Sequence, residues 1–479
     1  MRPSPRIPKA IPGGFQPGRN GFSTSAIAHR RTGSGSPGKS GRRCRTASTI
    51  SAWRATRWMG DSTSSGIEND RGKETSHDRR RKLMIGVRKL RERIEPRLGD
   101  MIEDLRRIVS IDSPTFPGEG ATRVAGFFEE RYRSIGGEVD RIPGTHGTGD
   151  HLTVRFRGKR TEGPKLFLIG HCDTVFPKGE AAKRPFTLEG DRARGPGVID
   201  MKSGLVACVY ALEALLAEGF DDFGTIVILY DTDEERGNPS SRTLIEEMGE
   251  LAAAALILEP AREDGSFVSS RKGSAIGSLS IEGVAAHAGV DPERGRSAVE
   301  EAARQIVRIY GLARPGGTIN VTGLRGGERP HIVANEAGCT VELRAEKQET
   351  LDSMRRELAE IIRTPEVKEI RLSFEESGGR PAMEPAADTE LLLDAARETA
   401  REAGVPFSHA ATGGGSDGNY LAPMRVPVLD GLGPVGGGLH TVEEYVEIPS
   451  LAPRAAMLAG IIERAAAARR PDSPGNTEK

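Results

Sequence analysis

Residues 166–175 read Leu-Phe-Leu-Ile-Gly-His171-Cys-Asp173-Thr-Val. Four consecutive apolar residues without polar alternation describe a strand buried on both faces, as in a parallel sheet covered by helices. The run stops at an imidazole and a carboxylate two residues apart. In an open α/β sheet, polar groups of this kind gather beyond the carboxyl ends of the strands. The pattern recurs. Ile226–Tyr230 leads into Asp231-Thr-Asp233-Glu234-Glu235, and Ala255–Leu258 leads into Glu259-Pro260. Leu152–Phe156 and Val426–Leu429 are further strand-like runs.

Helical periods lie between them. Leu90, Ile94, Leu98, Ile102, Leu105 and Ile108–Val109 predict one helix, ended by Ser110–Pro114. A second is expected over Ala121–Ile135, stopped by Gly136–Gly137. A third follows from the Leu205, Val209, Leu212, Leu216 stripe, with Gly219 as its cap. Strands alternating with helices predict an α/β/α layer structure with a mostly parallel sheet. Residues 273–376 break that rhythm. Strand Ala275–Ile281, helix Ala298–Tyr310, strands Thr318–Val321 and Cys339–Arg344, helix Leu351–Ile362 and strand Ile370–Phe374 give the order βαββαβ, a ferredoxin-like insert.

The chain has 479 residues, 28% charged, with equal numbers of basic and acidic side chains. The balance is uneven along its length: residues 1–60 hold 12 Lys and Arg and no Asp or Glu, leaving the rest with a net charge of −12. A mildly acidic body has no general attraction for nucleic acid. Residues 1–82, rich in Arg, Ser, Gly, Thr and Pro, read as a disordered basic extension. A transit peptide shares that composition, and translation beginning near Met84 is the alternative. No apolar run reaches the ~18 residues that a membrane span requires. Four scattered cysteines without a Cys-x-x-Cys pair make neither a disulfide framework nor a thiolate site, and point to a reducing, cytoplasmic setting.

Each polar strand end has a bland explanation when taken singly: a surface His–Asp pair, a solvated Glu–Glu face, a turn before Pro260, a loop histidine at His440. Five at successive strand ends and loops, with Gly195-Pro-Gly-Val-Ile-Asp200 among them, are harder to explain that way. Burying that many carboxylates without a cation costs several kcal/mol each. Imidazole and carboxylate suit zinc. Two zinc ions ~3.5–4 Å apart would repel by on the order of 15–20 kcal/mol at an effective dielectric of ~20. Asp200, Glu235 and Glu259 could supply three of the negative charges needed to offset this, leaving Glu234 free as a base.

In order along the chain, Gly-His171-Cys-Asp173-Thr-Val, Gly-Pro-Gly-Val-Ile-Asp200-Met-Lys-Ser-Gly, Asp-Thr-Asp-Glu234-Glu235, Leu-Glu259-Pro, Ala-His287-Ala-Gly and Leu-His440-Thr resemble the M20 metallopeptidases. That group includes glutamate carboxypeptidase, acetylornithine deacetylase and succinyl-diaminopimelate desuccinylase. The resemblance covers about residues 85–470. It implies two zinc ions (Zn2+, with Co2+ or Mn2+ as alternatives) per subunit, bridged by Asp200. His171 and Glu259 would hold one ion, and Glu235 and His440 the other. It implies Asp173 as the clamp on His171, a cis Asp200–Met201 peptide, and Glu234 as the general base.

The same resemblance divides the chain into catalytic parts over 83–272 and 380–470, a lid and dimerisation domain over 273–379, and a tail over 471–479. His287 would donate to the oxyanion across a homodimer. Arg380 would grip a substrate carboxylate, and the Gly413–Gly418 loop, through Gly414 and Gly415, would help to hold it. One departure stands out: His331-Ile-Val-Ala334 replaces the family's Asn-Val-Val-Pro, so His331 would take the substrate-holding place of that Asn. Glu259, where aminodipeptidase branches more often carry Asp, favours an amide with a free carboxylate on its leaving side. The expected reaction is amide hydrolysis of a small peptide or N-acyl amino acid. A carboxypeptidase is the first reading and an N-acyl-amino-acid deacylase the alternative, with no nucleic-acid or membrane partner.

Overall fold

Apolar runs flanked by glycines and prolines build the central strands. The computed structural model describes residues 84–467; the readings made for 1–82 and 471–479 lie outside the described residues. Strands β1 (Glu138–Ile142), β2 (His151–Arg157), β3 (Lys165–His171), β4 (Thr225–Asp231) and β5 (Ala254–Ile257) join Val428–Leu429 in one sheet, in the order β1-β2-β4-β3-β5-(428–429). The β4–β3, β3–β5 and β5–(428–429) pairings are parallel. The β1–β2 and β2–β4 pairings are antiparallel. The sheet is thus mostly parallel, as the strand–helix alternation predicts, with an antiparallel margin. β1 is absent from the apolar reading because it is an edge strand with exposed Glu138 and Arg141, which buries too little to leave a pattern. The parallel strand 426–429 shrinks to Val428–Leu429, since Pro427 has no N–H for a ladder.

Helix α1 (Ser203–Ala217) is apolar on every side and almost wholly buried, as its composition requires. It ends in a Schellman motif: Gly219 at φ +81° donates to the Leu216 carbonyl and Phe220 to that of Leu215. The expected helix over 85–109 is interrupted. Val87–Ile94 and Leu98–Val109 are separated by a 3-10 turn at Glu95–Arg97. Pro96 cannot donate to the preceding turn, and its ring crowds it.

The insert is a second, four-stranded antiparallel sheet of β6 (Gly273–Glu282), β7 (Gly317–Gly326), β8 (Glu336–Ala345) and β9 (Arg371–Arg380), ordered β7-β8-β6-β9. Helices α2 (Ala298–Tyr310) and α3 (Gln348–Arg363) join its strands. Its core is its own, built from Leu279, Ile309, Val341, Leu351, Met354 and neighbours. The final helix, α4 (Ile448–Ala467), packs into the large core with α1. No helix among the described residues is long and apolar enough to cross a membrane.

Candidate metal centre

Strand register assembles the site. His171 pairs with Asp231 across β3 and β4, and Ile169 pairs with Ile257 across β3 and β5. Glu259, two residues beyond Ile257, therefore emerges level with His171. The Asp233–Glu235 turn follows Asp231 at the same edge. Asp200 arrives on the loop before α1, where Gly197 sits at φ +72° and a Cβ would lie 2.5 Å from Thr174. The Asp200–Met201 peptide is cis, as the resemblance implies. His440 enters on a turn at φ +62°.

The five residues converge. His171 Nε2 lies 3.2 Å from Asp200 Oδ1 and 3.6 Å from Glu259 Oε1. His440 Nε2 lies 3.1 Å from Asp200 Oδ2 and 3.3 Å from Glu235 Oε2. Asp200 thus stands between two imidazoles, one oxygen toward each. Ligand atoms of His171, Asp200 and Glu235 all fall within 4.8 Å of one another. The far nitrogen of His171, Nδ1, is 3.0 Å from the Asp173 carbonyl and 3.5 Å from its carboxylate. Asp173 also accepts from Thr115 Oγ1 at 2.5 Å and from the Glu235 N–H at 3.3 Å, so one buried carboxylate orients two candidate ligands. Asp233 accepts from Ser240, from the Ser241 N–H and from the Ser241 hydroxyl, which fixes the turn carrying Glu234 and Glu235.

The electrostatics suit a cation. Burial drives Glu259 and Glu235 above the usual carboxylate range, and the Asp200 charge adds to it. Burial also pushes Glu234 up to about 7, against the opposing pull of Arg380. Asp200 goes the other way: burial disfavours its charge, but hydrogen bonds from His171 and His440 hold it well below its ordinary value. His440 is pushed up to about 11, first by its contacts with Asp200 and Glu235. Glu235 Oε1 is buried with no hydrogen-bond partner. Two imidazoles, three carboxylates and an orphaned carboxylate oxygen are a donor set that divalent zinc fits. Asp200, Glu235, Glu259 and His440 line a cleft of about 500 Å³, with Arg262, Thr412, Gly414 and Gly415 along its wall.

These shifts give the site's own share of the pH dependence of the metal-free protein's stability. Glu234 and His440 have folded-state values above their unfolded ones. Their contribution is complete at low pH and is lost as pH rises through those values. Asp200 is depressed, and its contribution is lost only well below pH 5. Through Glu234 and His440 the metal-free protein should therefore lose stability between pH 5 and 8. The metal-loaded protein should gain in the same interval, because ligands must shed protons to bind. Thermal unfolding at both pH values, with and without metal, checks this; a metal-free protein more stable at pH 8 would contradict it.

Three residues expected to hold substrate or oxyanion, Arg380, His287 and His331, lie outside the five-residue cluster. Arg380 is mostly buried and pairs with Glu234, 2.7 Å from its carboxylate and 2.6 Å from its carbonyl oxygen, with its guanidinium over the Tyr420 ring. His287 and His331 lie together on the insert, their rings 6.5 Å apart, joined by the Ala288 N–H donating to the His331 carbonyl. Both are exposed, and neither lines the cleft.

Other site residues escaped the sequence reading. Arg271 is buried and bidentate to Asp430 at 2.6 and 3.0 Å, and it donates to the carbonyls of Gly414 and Gly415. It thereby pins the glycine loop to the cleft wall. Asp417 accepts from Asn238 and stands 3.9 Å from Arg380. Nothing in the local sequence marks Arg271, and Asp417 lies within the Gly413–Gly418 loop without a signal of its own, since their partners are far away along the chain. Glu444, four residues after His440, had a weak signal in that proximity.

Comparison with known proteins identifies the fold and its chemistry. The chain is 33% identical over 368 residues to carboxypeptidase G2 of Pseudomonas sp. (strain RS-16), a match covering 76% of this chain and 88% of that protein. It is 27% identical over 375 residues to succinyl-diaminopimelate desuccinylase of Nitrosospira multiformis, covering 74% and 95%. A solved aminopeptidase from Bacillus cereus shares the fold, with a TM-score of 0.64 at 24% identity over 77% of this chain and 99% of that one. Fold and relatives together define a hydrolase of amide bonds. Residues 167–464 match peptidase family M20/M25/M40, and the chain belongs to that metal-dependent family.

Proposed function

We propose that this protein is a two-zinc carboxypeptidase that releases a carboxylate-bearing amino acid from a small peptide or acyl-amino acid. The observation that carries the proposal is the placement of Asp200 between His171 and His440, with Glu235 and Glu259 beside them at one sheet edge and Glu234 adjacent. Asp200 would bridge two ions, with His171 and Glu259 on one and Glu235 and His440 on the other. Zinc, when bound, lowers the pKa of water and polarises a carbonyl. Glu234, already raised toward neutrality by burial, takes the proton of the attacking water and returns it to the leaving nitrogen. Asp173 holds the His171 ring and the Glu235 backbone in place.

Arg380 provides the coupling to substrate. Here it neutralises Glu234. A substrate carboxylate would draw Arg380 away and leave Glu234 free as a base, with Gly414 and Gly415 lining the same cleft. Arg380→Ala should raise KM for carboxylate-bearing substrates roughly 10–100-fold, the value of a charge-assisted contact; an unchanged KM removes Arg380 from recognition.

The 273–379 insert would serve as lid and dimerisation domain, with His287 of one subunit donating to the oxyanion in the other and His331 contacting substrate. What supports this reading is an exposed apolar set on the insert, Val299, Val307 and Tyr310 on α2 and Leu324 on β7. A cytoplasmic location completes the proposal and rests on cysteine usage alone.

The alternative is an N-acyl-amino-acid deacylase of the acetylornithine or desuccinylase type, favoured by the 27% identical desuccinylase. One screen separates the two: the purified enzyme, stripped by chelator and restored with Zn2+, Co2+ or Mn2+, tested on folyl- and dipeptide-type substrates beside N-acetyl and N-succinyl amino acids. Turnover confined to the acyl set would replace the carboxypeptidase by the deacylase. Full activity after complete metal removal would reject both.

A further inference from the structure

Glu444 takes no part in the chemistry proposed above, yet it is fully buried. Burying a carboxylate costs several kcal/mol unless donors surround it. Here the donors are three main-chain N–H groups of a single loop. Gly197 donates to Glu444 Oε2 at 2.9 Å, while Ile199 and Asp200 donate to Oε1 at 3.0 and 3.1 Å. The loop is the one that delivers Asp200. Its other side is held by Lys202, also buried, whose ammonium donates to the carbonyls of Ile111 at 3.0 Å and Pro196 at 3.4 Å. The 196–202 segment therefore has its N–H groups tied to one side chain and a carbonyl tied to another.

The second end of Glu444 matters as much. It closes the turn that carries His440. Thr441 donates to the Gly438 carbonyl through both its N–H and its hydroxyl, and the Glu444 N–H donates to the Thr441 carbonyl. Glu444 is thus joined through its backbone to the His440 turn and through its side chain to the Asp200 loop. These two loops approach from opposite parts of the chain, 240 residues apart in sequence. His440 is mostly exposed and sits at φ +62°, so its own packing does little to place it.

We infer that Glu444 is the positioning residue that sets the distance between Asp200 and His440, and through it the affinity of the metal pair. The inference rests on the proposed ligand set and adds a residue that touches neither metal nor substrate. A carboxylate is suited to the task because one group accepts three N–H donors at once. A glutamine of the same shape brings its own N–H2 to face those donors and must lose at least one of the bonds.

The test uses the full chain loaded with zinc. Release of Zn2+ to a competing chromophoric chelator is followed for wild type, Glu444→Gln, Glu444→Asp and Asp200→Ala. Glu444→Gln should bind zinc roughly 10–100-fold more weakly, the range for outer-shell losses. Glu444→Asp, which keeps the charge but shortens the reach, should fall between it and wild type. Far-UV circular dichroism should be unchanged in both. Wild-type zinc affinity in a folded Glu444→Gln overturns the inference. If Asp200→Ala also keeps its zinc, the ligand set itself is wrong; if Asp200→Ala loses zinc and Glu444→Gln does not, only the role of Glu444 falls. Should the Glu444 variants not fold, hydrogen exchange of wild type decides: the amides of Gly197, Ile199 and Asp200 should be protected, and rapid exchange in the 196–202 segment overturns the proposal.

Discussion

Glu234→Gln should lower kcat roughly a thousandfold while leaving metal content and fold intact, within the range of a lost general base. The substitution keeps the volume of a buried side chain and removes only its capacity to accept a proton. Burial has already raised this carboxyl to about 7, where it can both take a proton and give it up near neutral pH. Glu234 is not among the residues proposed to hold metal, so occupancy measured by elemental analysis should match wild type. Arg380 loses its ion-pair partner and becomes available to substrate, so KM should not rise. A variant retaining more than a tenth of wild-type kcat would assign the proton transfer to another group.

Asp200→Ala should act on binding before chemistry. Asp200 faces both imidazoles, at 3.2 and 3.1 Å. In the proposed site its removal would take away a negative charge shared by two ions, and the repulsion between two double charges ~3.5–4 Å apart is on the order of 15–20 kcal/mol at a dielectric of ~20. Metal affinity should fall by more than the roughly 10–100-fold typical of outer-shell changes, and activity at substoichiometric metal should vanish. Full occupancy in the purified variant would refute the bridge. The two substitutions dissociate the steps: one protein keeps metal without turnover, the other cannot keep metal.

The large sheet was legible because its strands are continuous apolar runs, and α1 because it is apolar all round. The ligand types were legible for a related reason: an imidazole or carboxylate directly after a buried strand is out of place unless something holds it. The edge strand β1 was not legible, since it has no buried face to impose a pattern, and the break at Pro96 was masked by an apolar period that continues on both sides of it. The family resemblance marks Arg380 as a substrate group, but its pairing with Glu234 cannot be read from residues 146 positions apart.

Taken alone, the sequence determined which side chains were available and at which ends of which strands they would emerge, because apolar periodicity and strand polarity are local properties. Which of them meet is settled by packing between distant segments. Parallel register brings Glu259 level with His171, the Glu444 carboxylate draws the Asp200 loop and the His440 turn together, and Arg271 pins the glycine loop to Asp430. Such contacts depend on angstrom-scale distances between segments far apart in the chain, which long-range packing sets and local residue order does not encode.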